Sequence, residues 1–246
     1  MIHDSLQIPE LVNLSMKSIG MDSLRYCNNK LHFMKYNKDI SYQYNTRGFR
    51  DSEWGEDSLI SRKIWCVGDS FTVGLGQPLS ERWSSVLQET SGKPTINIGM
   101  HGASNDWISR KSRYILDNIA PKHLVIQWSY IHRRESTYTT LSDNARRMHF
   151  PYDLNKLDDC KNFISAFLDV EKNKGKTTVV HTFIPSWNTV SDILQYSIFW
   201  DSLINEENLV DVCLVMDSKQ LDYARDYHHY DIKTSKKYVK KILEFI

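Results

Sequence analysis

Five short apolar runs, each separated from the next by a longer segment, constrain the fold of this 246-residue chain more than any other feature. The runs are Ile64–Val67, Thr95–Gly99, Ala120–Trp128, Thr177–Ile184 and Val210–Met216. Runs that lack polar alternation are typical of strands covered on both faces. Strands that alternate with helices form a parallel sheet with helices on both sides. We therefore predict an α/β fold: a three-layer α/β/α domain with a five-stranded parallel sheet.

The helices between these strands are predicted from apolar residues at helical spacing and from glycine or proline at the ends. They are Ser80–Thr90, Trp107–Ile119, Leu157–Asn173, Val190–Leu203 and Thr234–Phe245. Residues 1–60 lack this alternation, so we predict an N-terminal extension on a main domain of residues 61–246. In the extension, Pro9–Ile19 is predicted to be a short helix, and residues 51–62 a loop.

Composition excludes several classes of function. The chain is 41% hydrophobic and 25% charged, which is typical of globular proteins. Its 31 basic and 30 acidic residues give a net charge of +1, so charge offers no argument for binding nucleic acid or an anionic membrane. No apolar run reaches the ~18–20 residues of a membrane span, and the first residues lack the pattern of a signal peptide. We expect a soluble, cytoplasmic protein or one otherwise made without an export signal.

The four cysteines are far apart in the sequence, at Cys27, Cys66, Cys160 and Cys213. They have neither the paired spacing of a zinc site nor the density of a disulfide framework. We interpret them as free thiols of a protein in a reducing compartment.

The most informative motif follows the first strand of the main domain, at Gly68-Asp69-Ser70. Glycine permits a tight turn there, and aspartate and serine favour turns and helix N-caps. Open α/β sheets bind ligands at the carboxyl ends of their strands, where this serine is predicted to lie. From the residues alone, an ordinary capping serine at a strand–helix junction explains the motif equally well.

The residues Gly68-Asp69-Ser70-Phe71-Thr72 resemble the first sequence block of the SGNH (GDSL-type) hydrolases. The resemblance implies that Ser70 is a nucleophile and that its backbone N–H contributes to an oxyanion hole. Residues 97–102 are similar to the second block of that family, which implies an oxyanion contact from the backbone of Gly102. Glycine suits this position because no Cβ obstructs its N–H.

The last block of the family is also present, as Asp226-x-x-His229 before the final helix. The resemblance implies that His229 is the general acid/base and that Asp226 orients it. His228 is an alternative that the spacing disfavours. A metal site formed by His228, His229 and Asp231 is a further alternative, although no additional ligand cluster accompanies it.

The third block, Gly-x-Asn-Asp in the family, is missing at the end of the third strand, where the chain has residues 129–135. We expect a substitute for the lost asparagine donor from Ser129 or from Asn105, and we favour Asn105 because its carboxamide matches the missing group. Asp69, His132 and Arg133 are predicted to bind substrate. The basic cluster would alternatively be a solvated loop that pairs with Glu135.

The extension contains a segment, Asn-x-x-Gly-Phe-Arg at residues 45–50, that resembles the approach to this strand in several saccharide-modifying SGNH proteins. We predict a turn at Asn45–Gly48 and anchoring contacts from Phe49 and Trp54. Either the segment is a structural strap, or Arg47 or Arg50 contributes to substrate binding.

The resemblance implies hydrolysis of an ester through an acyl-enzyme, without a cofactor or metal. The substrate class it implies is a small-molecule or carbohydrate ester, often an O-acetyl group. Two alternatives use the same fold: an O-acyltransferase with the same triad, and a binding or structural protein without catalysis. The sequence leaves the acyl group, the acceptor and the oligomeric state open.

Overall fold

The computed structural model describes residues 6–130, 133–135, 156–184, 212–215 and 220–246, excluding the side chains of Asp57 and residues 156–160. The strands are β1 (Ser15–Met16), β2 (Tyr42–Gln43), β3 (Ile64–Gly68), β4 (Thr95–Gly99), β5 (His123–Trp128), β6 (Thr178–Phe183) and β7 (Cys213–Val215). The α-helices are α1 (Lys30–Lys35), α2 (Ser70–Val73), α3 (Trp83–Ser91), α4 (Asn105–Asn118), α5 (Lys156–Lys172) and α6 (Ile232–Ile242). Short 3₁₀ segments lie at Pro9–Leu11, Asp57–Arg62 and Leu79–Glu81.

The main sheet has five parallel strands, as predicted from the apolar runs, and their order is β4-β3-β5-β6-β7. Every residue of β3, β4 and β5 is buried, which explains the absence of polar alternation in the sequence. The carboxyl ends of β3, β4 and β5 meet at one edge of the sheet. That edge positions the loops that carry the candidate site.

Helices cover both faces of the sheet, and successive side chains of one strand contribute to opposite cores. Trp65 of β3 packs in the core that includes Trp107 of α4 and Phe163 of α5. The next residue, Cys66, packs in the core that includes Trp83 of α3 and Ile242 of α6. The predicted α/β/α arrangement is therefore confirmed.

The predicted extension contains a tight turn, and an aromatic pair that follows it packs into the core beside the sheet. In the turn at residues 45–48, the Gly48 N–H donates to the Asn45 carbonyl at 2.9 Å. Gly48 has φ of +78°, and a Cβ there would lie 2.1 Å from the Ile8 carbonyl oxygen, so only glycine fits. The Phe49 and Trp54 rings stack at 5.6 Å between centroids, and both are buried in the core that contains Trp65.

The predicted helix at Pro9–Ile19 is wrong. Only the 3₁₀ segment Pro9–Leu11 forms, and β1 follows it, paired antiparallel with β2. The Tyr44 N–H donates to the Leu14 carbonyl at 2.9 Å, so tertiary pairing outweighs the weak helical pattern. The predicted loop at residues 51–62 also contains a 3₁₀ helix, Asp57–Arg62.

Two predictions fall outside the described residues: the helix Val190–Leu203 and the free thiol of Cys160. Cys27, Cys66 and Cys213 are free thiols. Within the described ranges, none of the helices has the length and apolar composition required to cross a bilayer.

Candidate active site

Ser70 lies at the sharp turn where β3 passes into α2. β3 ends at Gly68, Asp69 is the N-cap of α2, and Ser70 is the first residue of the helix. The Asp69 Oδ1 accepts a hydrogen bond from the Phe71 N–H at 3.0 Å. A Cβ at Gly68 would lie 2.1 Å from Thr72 Oγ1, so glycine is needed for the helix to begin this close to the strand.

Ser70, His229 and Asp226 form a continuous hydrogen-bonded chain. Ser70 Oγ lies 2.8 Å from His229 Nε2, and His229 Nδ1 lies 2.5 Å from Asp226 Oδ2. The exposed fractions are 3% for Ser70, 2% for His229 and 0% for Asp226. The sequence-predicted nucleophile, base and carboxylate therefore converge, although 159 positions separate the serine from the histidine.

The environment keeps the Asp226 carboxylate ionised. Burial by itself would raise the pKa of Asp226, but the His229 imidazole and the backbone N–H groups of His228 and His229 hold that pKa at about 2. Each of these N–H groups donates to Asp226 Oδ1 at 3.0 Å. An ionised carboxylate that accepts a hydrogen bond from Nδ1–H fixes the imidazole tautomer in which Nε2 carries no proton and faces Ser70 Oγ.

The neighbouring His228 has a different role in the structure. Its ring lies 5.7 Å from the Phe71 ring, whereas the His229 ring lies 4.5 Å from the same ring. Burial, then the His229 charge, lowers the pKa of His228 to about 4. His228 is therefore neutral at neutral pH and lies beside the triad without being part of it.

Two backbone N–H groups beside the serine are available to a ligand. Ser70 is the first residue of α2, where a helix makes no use of the N–H. Gly102 follows β4 with φ of +71°, in the left-handed region that favours glycine. Within the described part of the chain, neither N–H donates a hydrogen bond to a protein acceptor.

The prediction that Asn105 supplies a third oxyanion donor is wrong. Its Oδ1 accepts from the Ser129 N–H at 2.9 Å, and its Nδ2 donates to the Ser129 and Tyr130 carbonyls at 3.4 Å and 3.1 Å. The carboxamide therefore holds the loop after β5 and has no hydrogen left to direct at a substrate. Asn105 does not cap α4 either, because Ser104 is the cap and accepts from the Trp107 N–H at 3.1 Å.

The predicted oxyanion contact of Ser129 and the predicted substrate contact of Asp69 are also wrong. The Ser129 hydroxyl donates to Asp69 Oδ2 at 2.7 Å, and the Arg133 Nη1 donates to the same oxygen at 2.9 Å. Asp69 is fully buried, so its carboxylate is satisfied inside the protein. Arg133, predicted to bind substrate, is directed at Asp69 instead, and His132 lies outside the described residues.

Arg50 is a structural residue of the strap and does not reach a ligand. Its guanidinium is 1% exposed and donates to four backbone carbonyls. They belong to Ser41, Val73, Gly74 and Gln77. Arg50 of the extension thus holds the segment that follows α2. The sequence did not indicate this role.

No metal centre forms around the histidine pair. Asp231, which the metal alternative required, caps α6 and pairs with Lys38 at 3.1 Å. Across the described ranges, no three potential metal-ligating side chains converge.

Comparison with known proteins gives matches at the level of structure alone. No family model matches the sequence, and no curated protein matches it either. A G-D-S-L family lipolytic protein from Desulfitobacterium hafniense is 16% identical over 75% of this chain and 99% of its own, with a TM-score of 0.50. A family two carbohydrate esterase from Clostridium thermocellum, solved with cellohexaose, is 16% identical over 74% of this chain and 62% of its own, with a TM-score of 0.51.

An acetyl xylan esterase from the rumen bacterium Butyrivibrio proteoclasticus is 10% identical over 75% of this chain and 63% of its own, with a TM-score of 0.52. This chain therefore spans somewhat less than two thirds of the two carbohydrate esterases. At these identities the likeness establishes the fold and not the substrate. Together with the parallel sheet covered on both faces, these likenesses show that the chain has an SGNH (GDSL-type) hydrolase fold.

Proposed function

We propose that this chain is a serine ester hydrolase in which Ser70 is the nucleophile, His229 the general acid/base and Asp226 its orienting carboxylate. The observation that carries the proposal is the hydrogen-bonded chain of 2.8 Å and 2.5 Å through these three side chains. Its position at the carboxyl edge of the parallel sheet, beside two available backbone N–H groups, supports the proposal. So does the likeness in fold to proteins named as esterases.

The proposed reaction has two halves. Ser70 Oγ attacks the ester carbonyl carbon while its proton moves to His229 Nε2, and the Asp226 carboxylate stabilises the imidazolium. The N–H groups of Ser70 and Gly102 donate to the carbonyl oxygen as it becomes negative. The tetrahedral intermediate expels the alcohol, which takes the proton from His229. Water, deprotonated by His229, then attacks the acyl-enzyme, and the carboxylic acid and free Ser70 are released.

The substrate that we propose is an O-acyl ester, most simply an acetyl ester, of a carbohydrate or of a small alcohol. The support is that two fold neighbours are named as a carbohydrate esterase and an acetyl xylan esterase. Nothing in the triad itself distinguishes water from a sugar hydroxyl as the second acceptor. Product analysis separates the two: release of acetate indicates hydrolysis, and an acetylated acceptor sugar indicates transfer.

The test uses a fluorophosphonate probe and the hydrolysis of an aryl acetate. The probe should label the folded protein at Ser70, and Ser70→Ala should abolish both labelling and hydrolysis with an unchanged melting temperature. Ser58→Ala is the matched control, because that serine is exposed and precedes β3. Labelling that persists in Ser70→Ala contradicts the assignment. A folded wild type that neither labels nor hydrolyses would favour a non-catalytic binding protein.

A further inference from the structure

The loop after β5 lacks the family's asparagine but places a cation beside the nucleophile. Arg133 Nη1 lies 2.9 Å from Asp69 Oδ2 and 3.1 Å from Ser129 Oγ. Its side chain is 11% exposed, and that of Asp69 is 0% exposed. This ion pair is therefore largely shielded from water, and its carboxylate belongs to the residue that immediately precedes Ser70.

The loop is built to direct Arg133 to this place. The Asn105 carboxamide holds the backbone at Ser129 and Tyr130, and the Asn105 N–H donates to the Arg133 carbonyl at 3.0 Å. The Arg133 N–H closes a turn onto the Tyr130 carbonyl at 2.9 Å, and its guanidinium lies 5.0 Å from the Tyr130 ring centroid. Backbone and ring contacts thus fix both ends of the arginine.

Asp69 connects this cation to the candidate oxyanion hole. One carboxylate oxygen fixes the first turn of α2 through the Phe71 N–H, and the other accepts from Ser129 and Arg133. The same turn presents the Ser70 N–H. A buried carboxylate without a counterion would oppose negative charge developing one residue away, and the low-dielectric surroundings would strengthen that repulsion.

We propose that Arg133 is a positioning residue that compensates the charge of Asp69, so that the nucleophile turn can hold an oxyanion with two backbone donors. This inference rests on the proposed hydrolase function and deepens it. In this chain the loop after β5 supplies electrostatic compensation in place of a third donor. Arg133 acts through Asp69 and not on the substrate.

A double-mutant cycle of charge-neutralising substitutions tests this role, with kcat and KM measured on an aryl acetate well below the melting temperature. Arg133→Met should lower kcat about 10²-fold with KM nearly unchanged. Asp69→Asn should cost less than about tenfold, because asparagine also caps helices. The double variant Asp69→Asn/Arg133→Met should recover most of the loss, since no uncompensated charge remains. Arg134→Met, a change of the adjacent arginine, is the control and should retain activity.

Two results would overturn the proposal. One is a double variant no more active than Arg133→Met; the other is an Arg133→Met enzyme with raised KM and unchanged kcat, the signature of a direct substrate contact.

A second measurement does not depend on catalytic turnover. It therefore tests the role of Arg133 separately from the proposed hydrolase function. The titrating groups that face His228 are Asp226, His229 and Arg133, and its ring contacts Phe71. Because the Arg133 charge disfavours protonation of His228, NMR titration should give a higher His228 pKa in Arg133→Met than in wild type. An unchanged His228 pKa in Arg133→Met would contradict charge compensation even if the protein proved inactive.

Discussion

One peptide bond separates His228 from His229, and the two side chains have different partners. Both rings lie near Phe71, and the His229 imidazole in addition bridges Ser70 and Asp226. Both backbone N–H groups donate to the same Asp226 oxygen, so the backbone is fixed at both positions. Swapping the roles of the two imidazoles would require breaking these bonds.

This difference predicts the outcome of a matched pair of substitutions. His229→Ala should lower kcat/KM on an aryl acetate by about 10²–10⁴, the contribution of a positioned general base. His228→Ala removes an equal amount of side chain and should cost less than about tenfold. Steady-state kinetics on both variants check this, and a larger loss in His228→Ala would show that the base is assigned to the wrong histidine.

A second buried histidine, His181 on β6, belongs to a polar network far from Ser70 in the sequence. The Trp128 Nε1–H donates to His181 Nδ1 at 3.0 Å, so the imidazole proton lies on Nε2, 2.9 Å from Glu171 Oε1. Lys174 donates to the other Glu171 oxygen at 2.8 Å. Burial lowers the pKa of His181 more than Glu171 raises it, so His181 is neutral in the folded protein.

This network predicts a loss of stability in mild acid. The unfolded chain protonates His181 near pH ~6.5, whereas the folded chain resists protonation to lower pH, so the stability contribution is complete above that pH and decreases below it. Urea denaturation should show the free energy of unfolding falling by about 1–2 kcal/mol more between pH 7 and pH 5 in wild type than in His181→Gln. Parallel pH curves for the two proteins would contradict this.

At single residues, the sequence predicted the convergence of Ser70, His229 and Asp226 but not the arrangement of the loop after β5. Asp226 and His229 were predictable because a fixed spacing precedes the last helix, and a base must reach the serine. The partner of Arg133 is 64 positions away, and hydrogen bonding within the loop is set by three-dimensional contacts with Asn105. The position of Asn105 in the sequence was therefore not evidence that its carboxamide faces the substrate.

At the scale of elements, the N-terminal extension contacts both loops that carry the candidate site. Arg225, adjacent to the triad aspartate, donates to both oxygens of buried Asp22, at 2.7 Å and 2.6 Å. Tyr42 donates to Asp22 and accepts from the Gly76 N–H, which lies on the loop after the nucleophile helix. One carboxylate of the extension thus connects the loop of Asp226 with that of Ser70.

Asp22→Asn should therefore destabilise the protein well beyond a surface substitution. It leaves Arg225 without a counterion at a site where the arginine side chain is 14% exposed, and breaking such a pair costs about 3 kcal/mol or more. Asp222→Asn is the matched control, because its partner Lys233 is 70% exposed and exposed pairs contribute about 0–1 kcal/mol. Urea denaturation measures both, and equal losses would count against a structural role for the Asp22 pair.

Elements with strong apolar periodicity were predicted to within a few residues, and weakly patterned ones were not. The final helix, predicted at Thr234–Phe245, forms at Ile232–Ile242 with Asp231 as its cap. The predicted helix at Pro9–Ile19 failed because β1 finds a partner in β2, some 27 residues later in the chain. Pairing of that kind depends on where the rest of the chain lies, which local sequence does not encode.

At the scale of the whole molecule, alternating strands and helices were sufficient to predict a parallel sheet between two helical layers. They were not sufficient to predict the strand order β4-β3-β5-β6-β7, which places the Ser70 turn between those of Gly102 and Ser129. That adjacency brings together the backbone donors and the Arg133 loop. It arises from crossover connections and not from any local motif.

The pairing of Asp22 with Arg225 spans 203 positions, and this separation bears on the order of events during translation. The ribosome delivers the extension first, and domains fold as their residues emerge. Asp22 then lacks its charged partner until the segment around Arg225 has been synthesised. The same segment brings His229 to Ser70, so the proposed hydrolytic centre cannot assemble until that segment has been synthesised. Under the proposed function, turnover of an ester in a translation reaction would therefore report that the Arg225 segment has docked.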